Sequence, residues 1–238
     1  KGQCVSRIQD PEEEKAMAFL IGLVFPYIAI IIFLGCSLYR TIHWERLPHK
    51  LDWRLYPVPK DFVAQTRYMV EEWISFKMLF HNNRLIWVGS YLYHLGLLAA
   101  GIWFVLFLLG LSVPVLIWTV GFVLLATSSY LLLIRALVPH IKAITEYTDY
   151  FNLILFILIP ITGLIYLAIG DAGETRTYFR QLIVLHPVMP PKNGVFLAHL
   201  LLLEFFLAYL PFSKMFHVIR KYFTFHKLRW TNPYAKNE

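Results

Sequence analysis

Cysteine is almost missing from this chain, with two residues in 238. Cys4 belongs to the N-terminal tail and Cys36 to an apolar run, depths that do not favour a disulfide between them. No CxxCH occurs, which excludes covalently attached haem, and no cysteine series suits an iron–sulfur cluster. Charge is scarce as well. Asp, Glu, Lys and Arg make up 16% of the residues against 58% hydrophobic ones, too little polar surface for a soluble domain of this size.

What is present instead is apolar sequence in membrane-length pieces. Five stretches can span a bilayer: Ala18–Tyr39, Leu85–Leu109, Ser112–Val138, Phe151–Gly170 and Val195–Phe212. Pro114, Pro160 and Pro211 fall near ends or bends, where freed carbonyls find partners inside a helical bundle. The expected fold is an all-α integral membrane protein, a five-helix transmembrane bundle in one domain over residues 1–238.

The small charge complement is unevenly placed. Arg40–Arg84 carries eight Lys/Arg, and the tail from Lys214 carries six against one acid. The stretch before the first span holds Asp10, Glu12, Glu13 and Glu14 against Lys1, Arg7 and Lys15. With five spans, basic segments on the cytoplasmic side put the N-terminus out and the C-terminus in. The net charge of +7 therefore reflects topology and anionic lipid, and nucleic acid is not an expected partner. The inner segment 41–84 contains DFVAQTRYMVEEWISFKMLF, where Phe62, Tyr68, Met69, Trp73, Phe76 and Phe80 suit one apolar face of an interfacial helix that docks a cytoplasmic partner. The outer loop 171–194 is placed to cap the outer half of the bundle, and spans two and three join as a tight hairpin.

Histidines carry the chemistry. His199 and His217 bracket the run HLLLLEFFLAYLPFSKMFH. As one helix, these eighteen steps make five turns and roughly 27 Å of rise, placing both imidazoles on one face at opposite depths, as two stacked haems require. His94, in WVGSYLYHLGLLAAG, and His217 suit the two axial positions of an inner haem b. Ser90 and Gly101 share the face of His94 and leave room for a porphyrin, whereas Gly89 and Gly96 point to helix packing. His199 needs a partner deeper on the second span, yet Leu95–Leu111 offers no His, Met, Cys or Lys. His186 in the outer loop is then the nearest candidate, and a structural or quinol-bonding role for His199 is the alternative. Arg135 suits either a haem propionate or the helix surface. His140 is a surface or propionate-contacting residue, and His43, His49, His81 and His226 are solvated or interfacial. Glu204 is a carboxyl at membrane depth, open to protonation, pairing or a proton route.

Through FPYIAIIIFLGCSLYR, WVGSYLYHLG and the stretch from His199 to PFSKMFH, the chain resembles the membrane cytochrome b family that includes the gamma subunit of respiratory nitrate reductase and its relatives in sulfite-reduction and heterodisulfide-reductase complexes. The resemblance implies that His94 and His217 ligate the inner haem and that His199 is an outer-haem ligand. The family's fourth ligand falls on Phe104, so the outer haem is either lost or ligated by His186. The long 41–84 segment and PFSKMFHVIRKYFT favour the sulfite-reduction-associated branch over a nitrate-reductase-type subunit.

Together these features describe an electron-transfer subunit of the cytoplasmic membrane with one secure haem b and a possible second. It exchanges electrons between menaquinone or another quinone and an iron–sulfur cytoplasmic subunit related to the catalytic subunit of heterodisulfide reductase, alongside further membrane and periplasmic redox subunits. The rivals are a structural anchor with one haem and a haem-free transporter, the latter disfavoured by uniformly apolar spans.

Overall fold

The computed structural model describes residues 11–47, 61–111 and 113–225, and every regular element among them is helical. Five helices are long and apolar enough to cross a membrane: Glu12–Arg46, Arg84–Leu108, Pro114–Leu137, Tyr147–Ile169 and Gly194–Phe212. Each overlaps one expected span. The first is the longest at 35 residues, about 52 Å of helix against a hydrocarbon layer of about 30 Å, so its polar ends outrun the apolar zone. The chain divides into two compact units, residues 1–29 with 92–205, and residues 30–91 with 206–238.

The first unit contains α1 (Pro11–Phe19), most of α5 (Arg84–Leu108), α6 (Pro114–Leu137), the single turn α7 (Pro139–Lys142), α8 (Tyr147–Ile169), α9 (Ala172–Ile183) and the start of α10 (Gly194–Tyr209). The turn after α5 depends on Gly110, whose φ of 92° is costly for any side-chain-bearing residue. Pro114 starts α6 at a position where a missing N–H costs nothing, and Glu146 with Asp149 forms a reciprocal capping box on α8. α6 and α8 approach closely because Gly121 leaves room for Leu164: a Cβ there would lie 2.6 Å from Leu164 Cδ2. Pro160 cannot bond the Phe156 carbonyl one turn back, and Ser128 Oγ of α6 donates to that oxygen at 3.2 Å.

The region 171–194 builds a helix of its own. Asp171 Oδ1 accepts from Glu174 N at 2.7 Å and so caps α9. Tyr178 of α9, 1% exposed, packs with Tyr166, Phe196 and Leu200, and Ile21, Phe179 and Leu182 close around them. Burial on this scale contributes about 1.5–3 kcal/mol per large side chain. The Tyr178 hydroxyl donates to the Gly22 carbonyl at 2.7 Å, and Tyr27 donates to the Leu182 carbonyl at 3.1 Å. Gly22 lies in a π-helical turn, Leu20–Val24, and a Cβ on it would sit 2.4 Å from the Pro190 ring.

The second unit holds most of α2 (Phe25–Arg46), α3 (Phe62–Ser75), α4 (Lys77–Asn82) and α11 (His217–Phe223). The amphipathic segment is not the single helix that its apolar spacing suggests. Phe76 adopts φ 50°, ψ 40°, ending α3 and starting α4. The break is held by Trp87 Nε1, which donates to the Ser75 carbonyl at 2.9 Å, and by Glu72 Oε2, which accepts from Met78 N at 3.0 Å. Its apolar face divides accordingly. Met69 is buried against Phe225, Phe76 meets Tyr91 edge-on and Phe80 packs on Trp87, while Phe62 and Ile74 stay exposed. Glu72 also pairs with Lys221 at 3.0 Å.

The fifth span overlaps the expected stretch, but the run from His199 to His217 is not the single helix expected. His199 and His217 do not share a helix: α10 stops at Tyr209, a 3-10 turn covers Leu210–Phe212, and α11 starts at His217. Pro211 has no N–H to continue the ladder, and Ser213 closes the turn by accepting from Met215 N and donating to the Leu210 carbonyl. No continuous five-turn helix therefore relates the two imidazoles.

Candidate functional site

His94 is half-buried on α5. Its neighbour Tyr93 is buried and packs on Phe156 with ring centroids 4.9 Å apart, which fixes how α5 sits on α8. Gly96 is a packing glycine, since a Cβ there would approach Leu124 Cδ2 to 2.9 Å. Gly101 is the opposite case, with nothing within 4 Å of the Cβ position. A recess of about 450 Å³ surrounds it, lined by Leu97, Leu98, Gly101, Ile102, Val105 and Leu106. Leu97, Leu98, Gly101 and Val105 continue the face of His94 at helical spacing. A nitrogen ligand one helical turn before Leu97 and Leu98, which line that recess, suits a flat hydrophobic group ligated at its centre, and the residues present fit haem b.

His199 is oriented by α8. Its Nδ1 lies 2.9 Å from Thr162 Oγ1, and that hydroxyl is also 2.9 Å from the Leu158 carbonyl and 3.0 Å from that of Ile159. The hydroxyl has one proton to give; with that proton on the Leu158 or Ile159 carbonyl, Thr162 accepts from His199 Nδ1–H. That tautomer leaves the lone pair on Nε2, the arrangement that metal-binding histidines show. Gly163 lets the ring settle on α8, since a Cβ there would lie 3.0 Å from His199 Cε1. Thr162 and Gly163 are contributors that sequence reading did not identify. Their only signal was a Thr-Gly pair inside an otherwise apolar span.

The other candidates are distributed. His94, His199, His186 and Arg135 lie in the first unit, and His217 in the second. His217 is exposed at the first residue of α11, beside Phe216, which is buried and packs on Trp44. His186 follows α9 in the irregular connector, with its side chain exposed. Arg135 lies 3.8 Å from Asp149 and bonds Thr145 at 3.4 Å, while its carbonyl accepts from the Tyr150 hydroxyl. Phe104, at the position of the missing ligand, packs edge-on against Phe179. His43, His81 and His140 are exposed, and His43 stacks on Tyr39. Cys4, His49 and His226 lie outside the described residues. Among the described residues no three His, Cys, Asp or Glu side chains gather into a cage for a metal ion, an arrangement distinct from two-point axial ligation.

Glu204 is buried on α10, and neither carboxyl oxygen has a hydrogen-bond partner among the described residues. Its charge reaches α9: burial pushes the Tyr178 phenol upward, and Glu204 and Tyr27 add to the rise. A separate cavity of about 350 Å³ lies at the end of α8, lined by residues that include Tyr166, Asp171, Glu174, Lys192 and Asn193.

No protein-family model matches the chain. Over 83% of its length it is similar to the Hdr-like menaquinol oxidoreductase cytochrome b-like subunit of Archaeoglobus fulgidus, with 24% identity and 76% of that protein covered.

Proposed function

We propose that the chain is the membrane cytochrome b subunit of a menaquinol-linked oxidoreductase complex. The observation that carries this reading is the half-buried His94 beside the open apolar recess at Gly101. The similarity to a menaquinol oxidoreductase subunit supports it independently. His94 and His217 are assigned as the two axial nitrogens of a haem b, and His199, held by Thr162, presents Nε2 for a second haem or for a quinol hydroxyl. Bound haem supplies single-electron transfer. The chain's own residues would hold it: Gly101 would leave room for it, Leu97, Leu98 and Val105 would keep water away, and the imidazoles would supply its nitrogen ligands.

The finer assignment follows the sequence. The basic segments lie in the cytoplasm, the N-terminus lies outside, and electrons pass to or from an iron–sulfur subunit of the heterodisulfide-reductase type in a complex associated with sulfite reduction, in the cytoplasmic membrane.

A reduced-minus-oxidised optical spectrum of the purified complex tests the core of this reading. A b-type spectrum that is low-spin in the wild type, and lost or high-spin in His94→Ala and His217→Ala, is the expected result. A normal low-spin spectrum in both variants would overturn the axial assignment, and no haem at all in the wild type would overturn the function.

A further inference from the structure

Glu204 has an environment that packing alone does not explain. It is 7% exposed and follows Phe196 and Leu200 at four-residue spacing on the buried face of α10. Those two residues pack into the aromatic cluster with Tyr166 and Tyr178. A Leu or Met one turn further along would extend that cluster at no electrostatic cost. Glu204 instead brings two acceptor oxygens with no hydrogen-bond partner among the described residues. Thr127, Ser128 and Thr175, also buried, bond backbone carbonyls, whereas among the described residues Asn152 Oδ1 lacks a partner as Glu204 does, and of these two only Glu204 can carry a charge.

Among the described residues, the groups packed with it carry exchangeable protons. The phenols of Tyr178 and Tyr27 share one electrostatic neighbourhood with Glu204, and both donate to backbone carbonyls on facing elements. Tyr166 of α8 continues the cluster, and its hydroxyl meets Thr175 Oγ1 at 2.5 Å. Tyr166 also lines the cavity at the end of α8, beside Asp171 and Glu174. The tyrosines can pass a proton by hydroxyl rotation, and the Glu204 carboxyl within the span can hold one.

Building on the cytochrome b reading, we propose that Glu204 is a redox-linked proton site of the membrane interior. One electron entering the low-dielectric interior adds one negative charge, and one proton joining the Glu204 carboxylate cancels it. When the electron leaves, the acid returns its proton. Oxidation of one dihydroquinone to quinone releases two electrons and two protons, so the donor supplies both partners of each coupled transfer.

Redox-difference infrared spectroscopy on the intact complex reads this directly. The reduced state should show a carboxylic-acid carbonyl band that shifts in deuterium oxide, disappears in Glu204→Gln and moves in Glu204→Asp. A second measurement needs no variant. A membrane-soluble carbodiimide adds across protonated carboxyls in apolar surroundings, so Glu204 should be labelled in the reduced complex and largely lose that labelling in the oxidised one, as mapped by mass spectrometry. Equal labelling in both states, or an unchanged infrared band in Glu204→Gln, overturns the proposal. A normal b-type optical spectrum alongside that result leaves the function standing, whereas a wild type without haem removes both.

Discussion

Ser128 shares its hydroxyl proton between the Leu124 carbonyl of its own helix and the Phe156 carbonyl, the acceptor that Pro160 leaves without an N–H. The bond joins α6 to α8 at the point where α8 is weakest, and it stands where lipid has nothing to offer a bare carbonyl. Ser128→Ala should therefore cost about 1–3 kcal/mol, the penalty of an unsatisfied buried acceptor. Restoring the N–H with Pro160→Ala should remove much of that cost. Thermal unfolding in detergent across the double-mutant cycle checks this, and additive effects would show that the two residues act separately.

Gly101 and Gly96 make opposite predictions five residues apart. Gly101→Phe enters open space, so the protein should fold normally while its haem content falls. Gly96→Ala pushes a methyl against Leu124 and should destabilise the helix pair, with haem lost only as the fold is lost. Haem-to-protein ratio, measured beside the unfolding midpoint, separates the two. Full haem occupancy in Gly101→Phe would move the cofactor away from this recess.

The outer site turns on His199. Thr162→Val removes the acceptor that sets its tautomer, whereas Thr162→Ser keeps it. If His199 ligates a second haem, Thr162→Val should weaken that haem about 10–100-fold, in line with losses seen on removing partners of metal-bound histidines. Chemical quantification should then return two haems per wild-type chain, and His186→Ala should remove one. A wild-type value of one assigns His199 to a quinol hydroxyl instead. Two haems unaffected by His186→Ala would send the search for the fourth ligand to another residue or subunit.

For partner docking, the break at Phe76 redirects attention to residues not already engaged within the unit. Phe76 contacts Tyr91, so its replacement disturbs the inner segment itself. Trp73 and Ile74 are 38% and 66% exposed, and aromatic anchors of this kind dominate interfaces when they fill a partner's pocket. Trp73→Ser with Ile74→Ser should lower co-purification of the cytoplasmic subunit while leaving the haem spectrum intact. Full recovery of that subunit would assign the exposed face to lipid.

The spans were legible because eighteen or more apolar residues have few alternatives to a membrane helix, and all five overlap the expected stretches. What escaped depended on exceptions within that apolar text. Pro211 was visible, yet its power to divide the fifth span depended on Ser213 closing the turn. The left-handed Phe76 had no local signal, because the contacts holding it come from Glu72 and Trp87. His94 and His199 were legible as imidazoles at membrane depth. The recess after one and the Thr162 hydroxyl beneath the other needed three-dimensional placement, as did the burial of Glu204 without a hydrogen-bond partner among the described residues.

The π-turn at Leu20–Val24 has a consequence for how the first span can be edited. Such a turn accommodates one residue more than regular helix, and each residue of an α-helix is worth about 100° of rotation. Removing Ile21 would restore ordinary winding and leave the facing of Glu12–Phe19 almost unchanged, because the wider turn absorbs its extra residue within one turn. What would be lost is local: the Gly22 carbonyl that Tyr178 holds and the notch that receives Pro190. The extra residue thus serves those two contacts, and a single deletion would remove them without turning the rest of the span.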